Sequence, residues 1–333
     1  MISAEELRNR AQGAMSLHIA FIGVVNGLFS ALHSLQRATP AELAQATNLD
    51  VGYLQRWCDA AYAFSWLERE GDGFRLSEDG DSMRPERPDS RMAAAVGAVL
   101  GAHMAERAAG LMRTGERPGE KVLAERETIL PWFGSMLEHN FRRTFEEKIV
   151  SSVPIFAEMN ARQGLAVDLG CGNGWYLRAL LGKCAQLRGL GLDGFAENVR
   201  QATALAAADG LGERLRFAEG DIHQFQLPEP ADLIAMNRAL HHVWEERGEL
   251  FARLHEELRP GGAVVIWEPA WPDDSLLLRE PAYRGMAFQN LTEHVQGNHF
   301  LRPDEISQAL SAAGLAASIQ PVGSDVVVVG RRP

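Results

Sequence analysis

Val167-Asp168-Leu169-Gly170-Cys171-Gly172-Asn173-Gly174 reads as a strand running into a glycine-rich loop, with a helix starting near Trp175. Glycines at 170, 172 and 174 let the backbone come close to a ligand, at the crevice beyond the carboxyl ends of parallel strands. A dinucleotide fingerprint needs glycine or alanine where Trp175 stands, and an indole there disfavours a pyrophosphate on the helix end. Asp168 points the same way, because a carboxylate beside the loop repels an anion and attracts an amine. Asp193 follows Gly174 by 19 positions, at the end of the next strand, where a carboxylate can accept hydrogen bonds from both hydroxyls of a ribose. Gly220-Asp221-Ile222 follows a third strand. Asp221 suits an exocyclic amine, and Ile222 suits an apolar adenine face. A lone Asp is as readily a solvated strand end. Three in order at successive strand ends point to a cationic, hydroxyl-rich nucleoside.

The elements that must hold these residues alternate. From Gly164 onward, short apolar strands at 165–168, 189–193, 215–217, 232–236 and 263–267 are separated by helical stretches, which predicts a parallel sheet covered by helices. Runs at 315–320 and 325–329, separated by Pro321-Val322-Gly323-Ser324, predict a closing antiparallel hairpin. The first half of the chain is different. Residues from Ala4 to about Gln36 read as helix with an unusually apolar surface, the mark of packing against another domain or a second subunit, so a homodimer is expected. A capped helix starts at Thr39-Pro40, a second spans Val51 to Trp66, and a hairpin turns at Gly71-Asp72-Gly73. This order of helix, turn, helix and wing is winged-helix-like. Residues 82–91 form a linker with Pro85 and Pro88, followed by helices over about 91–112 and 133–156. The expected division is 1–90 for a dimerisation or cap domain, 91–160 for a helical bridge and pocket cover, and 161–333 for the nucleoside-binding domain.

Composition narrows the partners. The chain of 333 residues carries 33 Lys and Arg against 44 Asp and Glu, a net charge of −11 that repels nucleic acid and anionic membrane surfaces. In the winged-helix-like block Arg56 is set against Asp50 and Asp59, and the wing adds Glu68, Glu70 and Asp72, so DNA is not the expected partner. The N-terminus lacks a basic region followed by an apolar core, and no apolar run reaches the roughly 20 residues a membrane span requires. Three cysteines without a paired pattern fit the cytosol, and no Cys/His spacing suggests a metal site.

With these residues in view, the stretch from about Val167 to Pro269 resembles the class I S-adenosylmethionine-dependent methyltransferases. Asp168 to Gly174 looks like the family's first motif, Asp193 like its ribose acid, and Gly220-Asp221-Ile222 like its adenine contact. Asn237-Arg238-Ala239-Leu240-His241-His242 and Leu258-Arg259-Pro260-Gly261-Gly262 look like later motifs. The resemblance implies an α/β, Rossmann-like fold with a seven-stranded mixed sheet, preceded by a mostly helical winged-helix-like domain that supports dimerisation and covers the pocket. It also implies that S-adenosylmethionine is bound by Asp168, Gly170, Gly172, Gly174, Asp193, Gly220, Asp221, Ile222 and Asn237.

Two chemistries are open to that ligand, which presents several electrophilic carbons beside its sulfur. In methyl transfer, His241 falls where many O-methyltransferases of this family carry a catalytic histidine in a Leu-His-Asp-Trp-like motif, although here the run is Leu240-His241-His242-Val243-Trp244. In attack within the methionine chain, Trp175 and Tyr176 lie where the methionine moiety is expected, and an aromatic face holds a sulfonium with about 0.5–2 kcal/mol. Trp132, Phe133, Phe141 and Phe145 offer either a cover over the same place or core packing, and Asn140 an amide. This arrangement resembles the bacterial S-adenosylmethionine cyclases that make azetidine-2-carboxylate. The resemblance implies a dry pocket in which the substrate's own amine attacks its γ-carbon, with Tyr176 supporting the sulfonium and Asn140 orienting the amino-acid end. The cyclase is the preferred reading here, and small-molecule O- or N-methyl transfer with His241 as base is the alternative. Neither requires a metal.

Overall fold

The computed structural model describes residues 2–119 and 129–333, so residues 120–128 of the expected bridge lie outside the described residues. The described residues divide into two compact units, one built on 2–106 with 129–140, the other on 107–119 with 141–333. The division falls at 140/141 rather than 160/161, because residues 141–160 pack on the large sheet. Phe145 and Phe156, for example, are fully buried against each other at 5.8 Å.

In the first unit the single helix expected to run from Ala4 to about Gln36 is two helices, Ala4–Val25 and Leu28–Leu35, bent by 70° at Asn26-Gly27. Gly27 takes the left-handed conformation that glycine tolerates best, φ 66°. Pro40–Thr47 follows a capping box between Thr39 and Glu42, and Val51–Ala63 is capped by Asp50. β1 (Leu67–Glu70) and β2 (Gly73–Leu76) pair antiparallel as the wing. The core gathers Phe29, Trp57 and Trp66 edge to face, and both indole N–H groups are satisfied by backbone carbonyls, those of Ile19 and Ser16. In the wing, Arg75 pairs with Glu68 and Glu70, and Arg37 with Asp72, so these cations are already neutralised. Among the described residues no single helix is long and apolar enough to cross a membrane, although the bent pair at the N-terminus passes by length and composition.

The second unit is a seven-stranded mixed sheet. Its strands are β3 (Leu165–Leu169), β4 (Arg188–Asp193), β5 (Leu215–Glu219), β6 (Ala231–Asn237), β7 (Leu258–Pro269), β8 (Ala316–Val322) and β9 (Asp325–Arg331), in the order β5-β4-β3-β6-β7-β9-β8. The first five are parallel, and β9 enters antiparallel between β7 and β8, as the hairpin pattern predicted. β3 is buried at every position, which is why it reads as an apolar run and not as an alternation. Helices Trp175–Lys183, Ala196–Ala208, Arg247–Glu257 and Pro303–Ala312 make the crossovers and cover the sheet. This is the Rossmann-like class I methyltransferase fold.

Candidate functional site

The five parallel strands end on one edge, and the strand order reverses between β3 and β6, the place where open α/β sheets bind ligands. Asp168 on β3 and Asn237 at the end of β6 flank that point. Asp168 is 2% exposed, and its Oδ1 has no hydrogen-bond partner. Burial first, and then the charge of Asp193, push its carboxyl well above the ordinary range. Asn237 likewise leaves Oδ1 buried and unpartnered. Two buried oxygens that make no hydrogen bond within the protein suit a donor from a ligand, because such groups are costly to leave unmade.

The loop that follows Asp168 turns its amides inward. Gly170 N and Cys171 N donate to the carbonyl of Leu192 at 2.9 and 3.0 Å, Gly172 N donates to Asp193 Oδ2 at 2.8 Å, and Gly174 N donates to the carbonyl of Cys171 at 2.9 Å. These four amides are spent on the protein, which leaves them unavailable to an anion. Gly172 has φ 54° and open space where a Cβ would be, which leaves the loop bare toward a ligand. Gly174, at φ 74°, is required for packing as well, since a Cβ there would lie 2.4 Å from the Phe217 ring. Asp193 is buried, and its other oxygen accepts from Phe195 N and Asn198 Nδ2, both at 3.0 Å. Gly220 and Asp221 follow β5, with Asp221 exposed and accepting from His223 N. Ile222 is half-buried against the sheet core.

The aromatic residues form one cluster. Trp175 and Tyr176 are 3% and 2% exposed, and Phe145 lies 4.4 Å from the Tyr176 ring and stacks on Trp267 at 5.9 Å. Phe145 opens a π-helical turn, Phe145–Ile149, a local widening frequent at functional sites. Burial, then the charge of Asp168, pushes the Tyr176 phenol up, so its hydroxyl stays protonated. Asn140 is exposed and belongs to the first unit, outside the unit that carries the loop. Trp132 and Phe133 pack on the first unit's core, which leaves only Phe141 and Phe145 of the approach segment in the second unit.

After β6 the chain makes a 3-10 turn, Leu240–His242. His241 is 4% exposed, and its Nδ1 lies 2.7 Å from Oε2 of Glu268, which is 1% exposed. Glu268 Oε1 also accepts from Leu240 N at 2.8 Å, fixing the turn. Burial alone would push the His241 imidazolium down. The Glu268 charge and hydrogen bond, with a contribution from Glu293, outweigh burial and raise its pKa, against opposition from Arg238. With the carboxylate accepting from Nδ1–H, the neutral ring carries its lone pair on Nε2. Arg238 adopts φ 54°, lies 3.7 Å over the Phe141 ring and pairs with Asp325, which also accepts from Trp267 Nε1 at 3.0 Å.

The sequence singles out none of Glu268, Glu293 and Asp325, and shows Arg238 only as one position of a motif. A signal existed for Glu268 alone, an acid at the end of the otherwise apolar run Ala263-Val264-Val265-Ile266-Trp267.

Residues 166–262 match the family described as "methyltransferase domain". A methyltransferase of Geobacillus thermodenitrificans, itself uncharacterised, is 31% identical over 115 residues, which are 34% of this chain and 54% of that protein. The chain thus spans about half the length of this curated relative. Among solved structures, an O-methyltransferase family protein from Burkholderia thailandensis superposes with a TM-score of 0.72 at 21% identity, covering 98% of this chain and 96% of that one. Human N-acetylserotonin methyltransferase, solved in complex with S-adenosylmethionine, does so with a TM-score of 0.70 at 20% identity and the same coverage. Residues 166–262 thus match a methyltransferase domain, and the chain shares its fold with these structures. These likenesses do not extend to azetidine formation.

Proposed function

We propose that this protein is a small-molecule methyltransferase that uses His241 as the base for a hydroxyl acceptor. The observation that carries the reading is the buried His241–Glu268 pair at 2.7 Å, at the carboxyl edge of the sheet. It reverses the order of preference that Trp175 and Tyr176 suggested from sequence. When bound, S-adenosylmethionine supplies an electrophilic methyl group on a positively charged sulfur. The residues fit that ligand. Asp168 Oδ1 and Asn237 Oδ1 await donors, and Asp168 would hold the α-amine as a charge-assisted pair. Asp193 would accept from the ribose with the lone-pair directions that its three protein donors leave. Ile222 would face the adenine and Asp221 its amine.

His241 then does the proton work. Glu268 fixes the ring and its tautomer, and Nε2 takes the acceptor's proton as the oxygen is methylated. A positioned base of this kind contributes about 10²–10⁴-fold. We further propose a homodimer through the first unit, whose Leu7, Met15 and Ile22 are exposed apolar positions on one helix. A monomeric mass in light scattering would refute it.

Ring closure to azetidine-2-carboxylate is a second reading, and the packed rings of Phe145, Trp175, Tyr176 and Trp267 favour it. In that step the substrate's amine nitrogen bonds its own γ-carbon, the carbon–sulfur bond breaks, and methylthioadenosine and a proton leave. One incubation separates the two. With S-adenosylmethionine and a panel of phenols, methyl transfer gives adenosylhomocysteine only when an acceptor is present. Methylthioadenosine formed without any acceptor would overturn the main reading and establish the second.

A further inference from the structure

The surroundings of His241 hold more than one base requires. One ligand-capable atom from each of His241, His242 and Glu293 lies within 4.8 Å of the others, and the two imidazole rings are 4.2 Å apart. His241 and Glu293 are buried and His242 is half-buried. Two imidazoles and one carboxylate suit zinc and its first-row neighbours, whereas magnesium and calcium prefer shells of oxygen. Each donor is braced from behind. Glu268 holds His241 Nδ1, Gln296 Nε2 donates to Glu293 Oε2 at 2.9 Å, and the Asn298 amide lies 2.7 Å from His242 Nδ1, where it must present its oxygen to accept Nδ1–H when Nε2 is the ligand. Outer partners of this kind orient the ligands of protein metal sites.

Charge gives a second, independent argument. Glu268 and Glu293 place two carboxylates in one buried cluster. A divalent ion held by two neutral rings would balance both carboxylates, and an unbalanced buried charge is costly. Gln296 adds a third sign, because Oε1 of the same amide that bonds Glu293 is buried with no partner, an oxygen available to a cation or its bound water.

We propose that His241, His242 and Glu293 bind one divalent transition ion of the zinc class, and that the bound ion withdraws His241 from its role as base. Ligand atoms around tetrahedral zinc are about 3.3 Å apart for bonds of about 2.0 Å, so the three side chains must draw in by up to roughly 1.5 Å. The binding claim stands on the cluster alone, whereas the inhibitory claim rests on the methyl-transfer reading.

The test uses the untagged full chain, stripped with chelator, titrated with Co²⁺ in the visible spectrum and with Zn²⁺ by calorimetry. The expected result is one equivalent bound, with ligand-field bands of a low-symmetry nitrogen and oxygen site that EDTA abolishes. His242→Ala, Glu293→Gln and the supporting change Asn298→Ala should each weaken binding about tenfold or more, with folding checked by circular dichroism. No saturable uptake by the wild type, or uptake that folded His242→Ala and Glu293→Gln variants retain in full, would overturn the site. If the site binds, one equivalent of Zn²⁺ should suppress methyl transfer and EDTA restore it. Full activity in the zinc-loaded enzyme would overturn the inhibitory claim. Zinc uptake by a metal-free enzyme that never methylates would leave the site standing and refute the methyl-transfer reading instead.

Discussion

Replacing Asp168 by asparagine should stabilise the free protein and weaken its nucleoside site, two effects of opposite sign from one carboxylate. The side chain is 2% exposed, one oxygen has no partner, and Asp193 adds a like charge nearby. A buried polar group without a partner costs about 1–3 kcal/mol, and Asn removes the charge while keeping the shape. Recovering about 1 kcal/mol would raise the Tm of a unit this size by about 2–4 °C. The pH dependence follows from the raised pKa. An acid that holds its proton more tightly in the folded state than at its ordinary 3.8 contributes most to stability at low pH, and that contribution is lost as pH rises from 3.8 through the folded value. Wild type should therefore lose stability relative to Asp168→Asn as pH rises through that window. Binding moves the other way. A charge-assisted hydrogen bond to the α-amine is worth about 1.5–3 kcal/mol, so the variant should bind S-adenosylmethionine about 10- to 150-fold more weakly. Thermal unfolding without ligand, from pH 5 to 8, and titration calorimetry at neutral pH read both effects. A variant that is less stable than wild type at neutral pH and binds S-adenosylmethionine within twofold of it would refute the reasoning.

His241→Ala should lower kcat for methyl transfer about 10²- to 10⁴-fold and leave the equilibrium affinity for S-adenosylmethionine within a few-fold, as stopped-time assays and calorimetry would show. Glu268→Gln should cost about 3 kcal/mol in chemical denaturation as well as activity, because it strips one partner from a buried pair, and full stability in that variant would count against the pair. Tyr176→Ala should lose about 3–5 kcal/mol while Tyr176→Phe loses under about 1.5, since the ring fills the cluster with Phe145; similar urea midpoints for the two would contradict that packing. Gly174→Ala combines a positive φ with a Cβ 2.4 Å from Phe217, so the soluble yield should collapse, and a well-folded variant would show that the loop can move.

Much of the proposed nucleoside site was legible along the chain because it is local. The loop Gly170 to Gly174 and the acids Asp168 and Asp193 are written at strand ends, where residue type follows from backbone geometry and from the strand-to-helix order. The seven-stranded sheet and its terminal hairpin are legible for the same reason, since β3 and β6 are apolar runs of the right length. The break at Gly27 was missed because the apolar pattern continues through it and only the glycine marks the bend.

The tertiary structure decided the rest. Helix Trp175–Lys183 is buried over its first seven residues, so it shows no polar face from which the surroundings of Trp175 and Tyr176 could be read. Only packing shows that they join Phe145 and Trp267. Asn140 carries no mark in the sequence of belonging to the first unit. Glu268 comes 27 residues and Glu293 52 residues after His241, separations that no helical or strand period records. Parallel crossovers and the chain after β7 bring them to one point, and there the Glu268 carboxylate raises the His241 pKa against the opposing effect of burial. The sequence by itself determined the fold and marked the residues proposed here to hold a cationic nucleoside. The chemistry that acts on that ligand depended on contacts that only folding makes.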